Sequence, residues 1–256
     1  MQSVSLVCFP HAGAGRMYYT KWRSLFGDEV DLQIVQYPLR EHRMRDPMPD
    51  TVGELADEIF DTYADAFRGT YAIWGHSMGS TIGYEVARRC QNRLDNPPLV
   101  FFSSGASAPC ESRFKRVADL DSPEGLRDVL LRYGGLTSEN LEDPDFVKFF
   151  SPVIEADLRL LGGYQETTFE KLRCPAAVMV GRDDTANVED WPRYIDGPVS
   201  ITEFDGGHFF LDEHRVAMSS RMTARLQLEW QLRGMGPAGD ADTPEVLAQM
   251  AARLAQ

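Results

Sequence analysis

Tyr71-Ala72-Ile73-Trp74-Gly75-His76-Ser77-Met78-Gly79-Ser80-Thr81-Ile82-Gly83-Tyr84-Glu85 decides how this chain is read. The apolar run Tyr71–Trp74 reads as a buried strand, and helical spacing begins at Met78. Gly75-x-Ser77-x-Gly79 between them has the form of a nucleophile elbow. In such a strand-to-helix turn a serine sits in a strained backbone conformation with its Oγ exposed above a sheet. Strand and helix approach so closely there that positions 75 and 79 must lack a side chain. The helix N-terminus beneath offers unpaired N–H groups to a developing negative charge. Alone the pattern is weak: roughly one chain in ten of this length contains it at ordinary glycine and serine frequencies. A loop serine with nearby glycines is the plain alternative, so the rest of the chain must discriminate.

Length and composition narrow the class. A chain of 256 residues fits one α/β domain with a sizeable core. Hydrophobic content of 43% and charged content of 25% are ordinary for a soluble globular protein. No apolar run is long enough to span a bilayer. Met1–Phe9 has no basic n-region and runs into a strand-like segment, so no signal peptide is expected. Cys8, Cys90, Cys110 and Cys174 form no CxxC pair and read as reduced structural thiols of a cytoplasmic protein. No ligand cluster points to a metal. The net charge of −13 argues against nucleic acid. An acidic partner would have to dock on a local basic run, either Arg40, His42, Arg43 and Arg45 or Arg113, Lys115 and Arg116. Solvated loop charges are the equal alternative.

Strand and helix patterns alternate along the chain. Val4–Phe9 reads as the first strand and ends in the small-residue loop Pro10–Gly15. Tyr18–Phe26 has helical spacing, and Leu32–Gln36 reads as a second strand. Asp50 or Thr51 caps an amphipathic helix carrying Val52, Leu55, Ala56, Ile59, Phe60, Tyr63 and Phe67. After the elbow come a helix over Met78–Arg89 and a strand over Leu99–Ser103. No convincing strand appears from Pro109 to about Leu172. Helical patterns at Glu124–Tyr133 and Pro144–Leu161 make about 109–172 a helical insertion. Strands resume at Ala176–Gly181 and Val199–Phe204, followed by a helix over Leu211–Leu232. This alternation predicts a mostly parallel sheet covered by helices on both faces, in one domain over 1–233. Residues 234–256 read as a linker and a short helix or frayed tail.

A serine hydroxyl needs a base to take its proton. Five histidines make elimination feasible. His76 precedes the serine on the elbow and should point away from the reacting side. His11 and His42 lie in loops, and His214 falls in the last helix. His208 follows a strand, in Asp205-Gly206-Gly207-His208-Phe209-Phe210, at the sheet edge where α/β active sites collect. It is the expected general base. The carboxylate that orients it should leave the strand Ala176–Gly181, in Arg182-Asp183-Asp184. Asp184 is the choice and Asp183 the alternative, one of them being a turn or capping residue. The order Ser, Asp, His is that of α/β-hydrolases. For the oxyanion, the Met78 N–H after the nucleophile and the Ala12 N–H of the first loop are the expected donors.

Four segments together resemble one family. Leu6-Val7-Cys8-Phe9-Pro10-His11-Ala12-Gly13, Gln36-Tyr37-Pro38-x-Arg40-Glu41, Gly75-His76-Ser77-Met78-Gly79 and Gly206-Gly207-His208-Phe209-Phe210-Leu211 are similar to the type II thioesterases. Those are free-standing α/β-hydrolases of polyketide and nonribosomal-peptide pathways. Weaker echoes are Ser103-Ser104-Gly105, Ala156-Asp157 followed by Tyr164, and Trp191. The resemblance implies hydrolysis of acyl groups from the phosphopantetheine arm of acyl or peptidyl carrier protein domains. It places the triad on Ser77, Asp184 and His208 and the oxyanion donors on Met78 and Ala12. It makes the insertion a lid and requires no cofactor beyond the partner's phosphopantetheine. A monomer is expected, with no nucleic acid and no membrane. Leu39 stands where the family run usually has glycine, Glu155 where arginine precedes Ala-Asp, and Ala106 where arginine often follows Ser-Gly. The competing reading is an esterase, acylase or product-releasing thioesterase with the same triad.

Overall fold

A computed structural model describes residues 3–109, 142–166 and 170–235, with positions 127, 131 and 168 isolated between them. Six strands form one sheet: β1 (Val4–Phe9), β2 (Val30–Ile34), β3 (Tyr71–His76), β4 (Phe101–Ser104), β5 (Ala176–Gly181) and β6 (Val199–Phe204). Their order is β2-β1-β3-β4-β5-β6, and every neighbouring pair is parallel. This is the α/β architecture expected of the sequence.

The inner strands are apolar on both faces because both faces are covered. In β1, Leu6 and Cys8 enter one core while Val7 and Phe9 enter the other. In β3, Ala72 and Trp74 alternate with Tyr71 and Ile73 in the same way. The two-residue period of a strand sends successive side chains to opposite faces. One core contains helices α2 (Val52–Thr62), α3 (Ala64–Arg68) and α4 (Met78–Arg93). The other contains α1 (Arg16–Thr20) and the C-terminal helix over Arg215–Leu232.

Helix boundaries follow local chemistry. Thr51, rather than Asp50, caps α2: its Oγ1 accepts from the Glu54 N–H at 3.1 Å, and the Glu54 carboxylate accepts from the Thr51 N–H at 3.2 Å. The single helix expected to reach Phe67 is divided at Tyr63, whose backbone leaves the helical region (φ −104°, ψ 20°). The Tyr63 hydroxyl is held by the Gln36 N–H at 3.0 Å. The expected C-terminal helix is likewise divided into α6 (Phe210–Glu213) and α7 (Arg215–Leu232). His214 lies at that break, outside both helices, and donates from Nε2 to the Asp205 carbonyl at 3.0 Å. Within the expected insertion, α5 (Pro144–Gly162) is described. The Glu124–Tyr133 pattern, Arg113, Lys115, Arg116, Cys110 and the Pro244–Leu254 helix lie outside the described residues. Among the described residues, no helix is long and apolar enough to cross a membrane.

The strand order reverses between β1 and β3: the chain winds from β1 to β2 on one side, then crosses to β3 on the other. A crevice at the C-terminal ends of strands flanking such a switch point is where ligands bind in open α/β sheets. Phe9 and Gly75 are register partners. The Pro10 loop and the elbow therefore leave the sheet side by side.

Candidate active site

Ser77 occupies φ 54°, ψ −117° between β3 and α4. A non-glycine residue there stores about 1–3 kcal/mol of strain, so its surroundings must hold it. Its N–H donates to the Ser104 carbonyl at 2.8 Å, and its carbonyl accepts from the Ser80 N–H at 3.0 Å. Ser80 Oγ donates to the Gly75 carbonyl at 2.7 Å. The flanking glycines are required sterically. A Cβ at position 75 would lie 2.3 Å from Gly79 backbone atoms, and one at 79 would lie 1.9 Å from the Phe9 carbonyl oxygen. The α4 N-terminus therefore rests directly on the end of β1.

His208 and Asp184 complete a line of hydrogen bonds with Ser77. His208 Nε2 lies 2.9 Å from Ser77 Oγ, and His208 Nδ1 lies 2.9 Å from Asp184 Oδ2. A carboxylate accepts, so the proton sits on Nδ1 and leaves Nε2 free to accept from the serine hydroxyl. The imidazole and carboxylate side chains are 8% and 2% exposed, shielding the pair from water. Asp184 Oδ1 also accepts from the Ala186 N–H at 3.1 Å, which fixes the carboxylate. Asp183 is exposed, and its N–H is used by the Gly206 carbonyl at 3.0 Å. The two adjacent aspartates are thus separated in role: Asp184 meets the histidine and Asp183 does not.

The loop after β1 runs beside the elbow. Its polar groups are tied on both sides of Ala12. The Pro10 carbonyl accepts from Tyr37 Oη at 3.2 Å, and the His11 ring meets Tyr19 Oη at 2.8 Å. The Gly13 N–H donates to Asp157 Oδ2 at 2.7 Å. The Ala14 carbonyl accepts from Arg40 Nη1 at 3.0 Å. Among the described residues, no partner is found for the N–H of Ala12 or of Met78.

Three histidine rings cluster here, which the sequence did not announce. His76 is fully buried, its Nδ1 3.0 Å from Ser104 Oγ and its ring 5.2 Å from that of His208. The His11 ring lies 5.7 Å from His76. Burial, and then the neighbouring His208, push the His11 pKa down to about 3. The same two causes, in that order, hold His76 well below the usual imidazole range. Both are therefore uncharged at neutral pH. Behind His208, α6 is tied to α1: Tyr18 Oη donates to Asp212 Oδ2 at 2.5 Å, and Lys21 Nζ to Asp212 Oδ1 at 2.8 Å.

The first basic run is not the surface expected of it. Arg40 is 6% exposed and grips Asp157 of α5 with two nitrogens, while Arg43 pairs with Asp46 and Glu58. Only His42 and Arg45 of that run are exposed. The family echoes also acquire structural reasons. Asp157 is Arg40's partner, and Trp191 donates to the Ala106 carbonyl at 3.0 Å. Tyr164 donates to Glu85 at 2.9 Å. Leu39, in the run that usually holds glycine, has φ 64°, a conformation glycine adopts more easily. Glu155 pairs with Arg159 one turn along α5. Of the large apolar residues of α5, Leu158 and Leu161 are buried and Phe150 is 49% exposed. The side chains of Phe146 and Phe149 lie outside the described residues. Among the described residues, no group of three or more His, Cys, Asp or Glu side chains could hold a metal.

Comparison with known proteins gives this geometry a family. A model described as a thioesterase domain matches residues 4–226. The chain is 30% identical over 228 residues to a probable cadicidin biosynthesis thioesterase of Streptomyces griseus, covering 88% of this chain and 63% of that protein. It thus spans a little under two thirds of that relative's length. Over 216 residues it is 30% identical to thioesterase PikA5 of Streptomyces venezuelae, covering 82% of this chain and 76% of that protein. The RedJ thioesterase from the prodiginine biosynthetic pathway in Streptomyces coelicolor superposes with a TM-score of 0.78 at 30% identity. That match covers 88% of this chain and 86% of that one. The chain belongs to the thioesterase family, serine hydrolases of the α/β-hydrolase fold that cleave thioesters.

Proposed function

We propose that Ser77, His208 and Asp184 are the catalytic triad of a free-standing thioesterase that hydrolyses acyl groups from the phosphopantetheine arm of carrier protein domains. The observation that carries this is the pair of 2.9 Å contacts joining Ser77 Oγ to His208 and His208 to Asp184, at the C-terminal edge of the sheet. The relatives' pathways and the elbow on which Ser77 stands support it.

The chemistry runs in two halves. His208 Nε2 takes the hydroxyl proton as Ser77 Oγ attacks the thioester carbonyl. Asp184 stabilises the imidazolium and keeps its tautomer. Negative charge gathers on the carbonyl oxygen, where the Met78 and Ala12 N–H groups receive it. The tetrahedral intermediate collapses, the C–S bond breaks, and the departing thiolate takes the proton from His208. Water then attacks the Ser77 ester while His208 accepts its proton. The second intermediate collapses, the bond between the acyl carbon and Ser77 Oγ breaks, His208 returns its proton to Ser77 Oγ, and the carboxylic acid leaves. Every step uses side chains and backbone groups of this chain. The insertion over about 109–172, including α5, is assigned as the lid over the acyl group, and residues 1–233 as the hydrolase domain.

Ser77→Ala, assayed on acyl-carrier thioesters and on a simple oxygen ester, tests the assignment. Turnover of the carrier thioester should fall by roughly 10⁴–10⁶-fold with the fold intact. Undiminished hydrolysis by the variant sinks the triad. Preference of the native protein for the free oxygen ester over carrier thioesters moves the reading to an esterase.

A further inference from the structure

Asp157 is completely buried and Arg40 nearly so, at 0% and 6% exposure. Taking two charges out of water costs several kcal/mol each before their attraction repays it. A purely structural contact between α5 and the body could be made by apolar groups at no such cost. Ile154, Leu158 and Leu161 of α5 already do this, each contributing about 1.5–3 kcal/mol by burial. The ion pair needs another explanation, and its remaining hydrogen bonds supply one.

Two of those bonds end on the backbone of the loop after β1, and the third ends on Arg40's own loop. Arg40 Nη2 meets Asp157 Oδ1 at 2.5 Å and Arg40 Nη1 meets Asp157 Oδ2 at 2.8 Å. The same Asp157 Oδ2 accepts the Gly13 N–H at 2.7 Å. The same Arg40 Nη1 donates to the Ala14 carbonyl, and Arg40 Nε donates to the Pro38 carbonyl, each at 3.0 Å. Gly13 sits at φ 80°, with Ile154 of α5 filling the space a Cβ would need. The pair thus grips the two residues that follow Ala12.

We propose that Asp157 and Arg40 are positioning residues for the oxyanion hole, a clamp by which helix α5 and the loop after β2 hold the Pro10–Gly15 loop with the Ala12 N–H aimed at the reacting carbonyl. The proposal rests on the assignment of Ala12 as an oxyanion donor. Neither residue touches substrate. Asp157 acts through Gly13, and Arg40 acts through Asp157 and Ala14. Oxyanion stabilisation depends on donors already in place before charge develops, and a displacement of 1 Å in such a site costs about 10²-fold. The clamp also makes the hole conditional on the seating of α5, so a substrate that displaced this helix would lower turnover rather than affinity.

Two double variants isolate the tether. Arg40→Met with Asp157→Asn removes both charges but keeps a side-chain oxygen for the Gly13 N–H. Arg40→Met with Asp157→Leu removes that acceptor as well. Both avoid an uncompensated buried charge, so both should fold. On a small N-acetylcysteamine thioester, the leucine variant should show kcat about 10- to 100-fold below the asparagine variant, with KM within about threefold. Binding of a trifluoromethyl ketone analogue, whose serine adduct carries the same oxyanion, should weaken by the same factor. Equal kcat in the two variants, or a change confined to KM, overturns the clamp. Should the apolar pair prevent folding, Arg40→Lys reports instead. It keeps the charge beside Asp157 but cannot hold Asp157 and the Ala14 carbonyl together. Its kcat should fall about tenfold, and an unchanged kcat overturns the proposal. Ser77→Ala separates this inference from the triad. Undiminished hydrolysis there overturns the triad, whereas a Ser77→Ala variant slowed as expected beside two equal double variants overturns the clamp alone.

Discussion

Mild acid should destabilise this protein before its carboxylates titrate. His11 and His76 are buried and neutral, with pKa values of about 3 and well below the usual range. In the unfolded chain each returns to about 6.5. The folded values are depressed, so between pH 6.5 and 3 the unfolded state binds more protons, and stability falls as pH falls. Each unfolded histidine gains RT ln(1 + 10^(6.5−pH)), which is about 2 kcal/mol at pH 5.0 and under about 0.1 kcal/mol at pH 7.5. His11 therefore removes about 2 kcal/mol between pH 7.5 and 5.0, a large part of a typical 5–15 kcal/mol, and His76 acts in the same direction. Carboxylates whose folded values are lowered, such as Asp57, Glu170 and Asp212, have unfolded references of 3.8, 4.5 and 3.8. Their stabilisation is complete above those references and fades only below the window. Urea unfolding followed by far-UV circular dichroism at constant ionic strength between pH 7.5 and 5.0 measures the effect. The slope should reach at least about 1.4 kcal/mol per pH unit at the acid end, the signature of the proton His11 takes up on unfolding, with His76 adding to it. His11→Gln should remove the His11 share. A loss under about 1 kcal/mol, or a gain, refutes the reasoning.

Asp184→Asn should lower kcat by about 10⁴-fold through loss of the correct histidine tautomer, while Asp183→Asn stays within about threefold; steady-state hydrolysis of a small acyl thioester distinguishes them, and equal effects would refute the choice between the two carboxylates. Gly79→Ala places a carbon 1.9 Å from the Phe9 carbonyl oxygen, where about 3.3 Å is needed, so α4 or β1 must shift by more than 1 Å. Urea unfolding should show a loss of at least about 3 kcal/mol, and kcat should fall about 10²-fold; native values for both would show that the elbow is not tightly packed.

The grouping of Ser77, His208 and Asp184 was legible because each member sits where the backbone period changes. Ser77 stands between a strand pattern and a helix pattern. Asp184 and His208 follow β5, a continuous apolar run, and β6, an alternating one, whose ends the sequence marks to the residue. The choice of Asp184 over Asp183 was less secure, since both leave the same strand. Only the turn geometry, with the Asp183 N–H held by Gly206, sends one carboxylate to the histidine and the other to water. Helix breaks at Tyr63 and His214 were not legible. Apolar spacing continues across both, and the interruptions are made by the Tyr63 and His214 side chains bonding to backbone distant in sequence.

Arg40 shows the limit most sharply. In sequence it is one of four basic residues in a polar loop, and charge alone suggests a docking face. Its partner is 117 positions away, on a helix whose other described buried residues are apolar apart from Ser151. No local pattern separates a solvated arginine from one that binds a distant aspartate, because the difference is made by the fold that brings α5 onto the β1 loop. The resemblance marked both Arg40 and Asp157 as family positions without saying that they meet. Once they do, the basic run loses its strongest cation as a docking group. The loop after β1 gains a support reaching from α5, and His42 and Arg45 are left as the exposed members of the run.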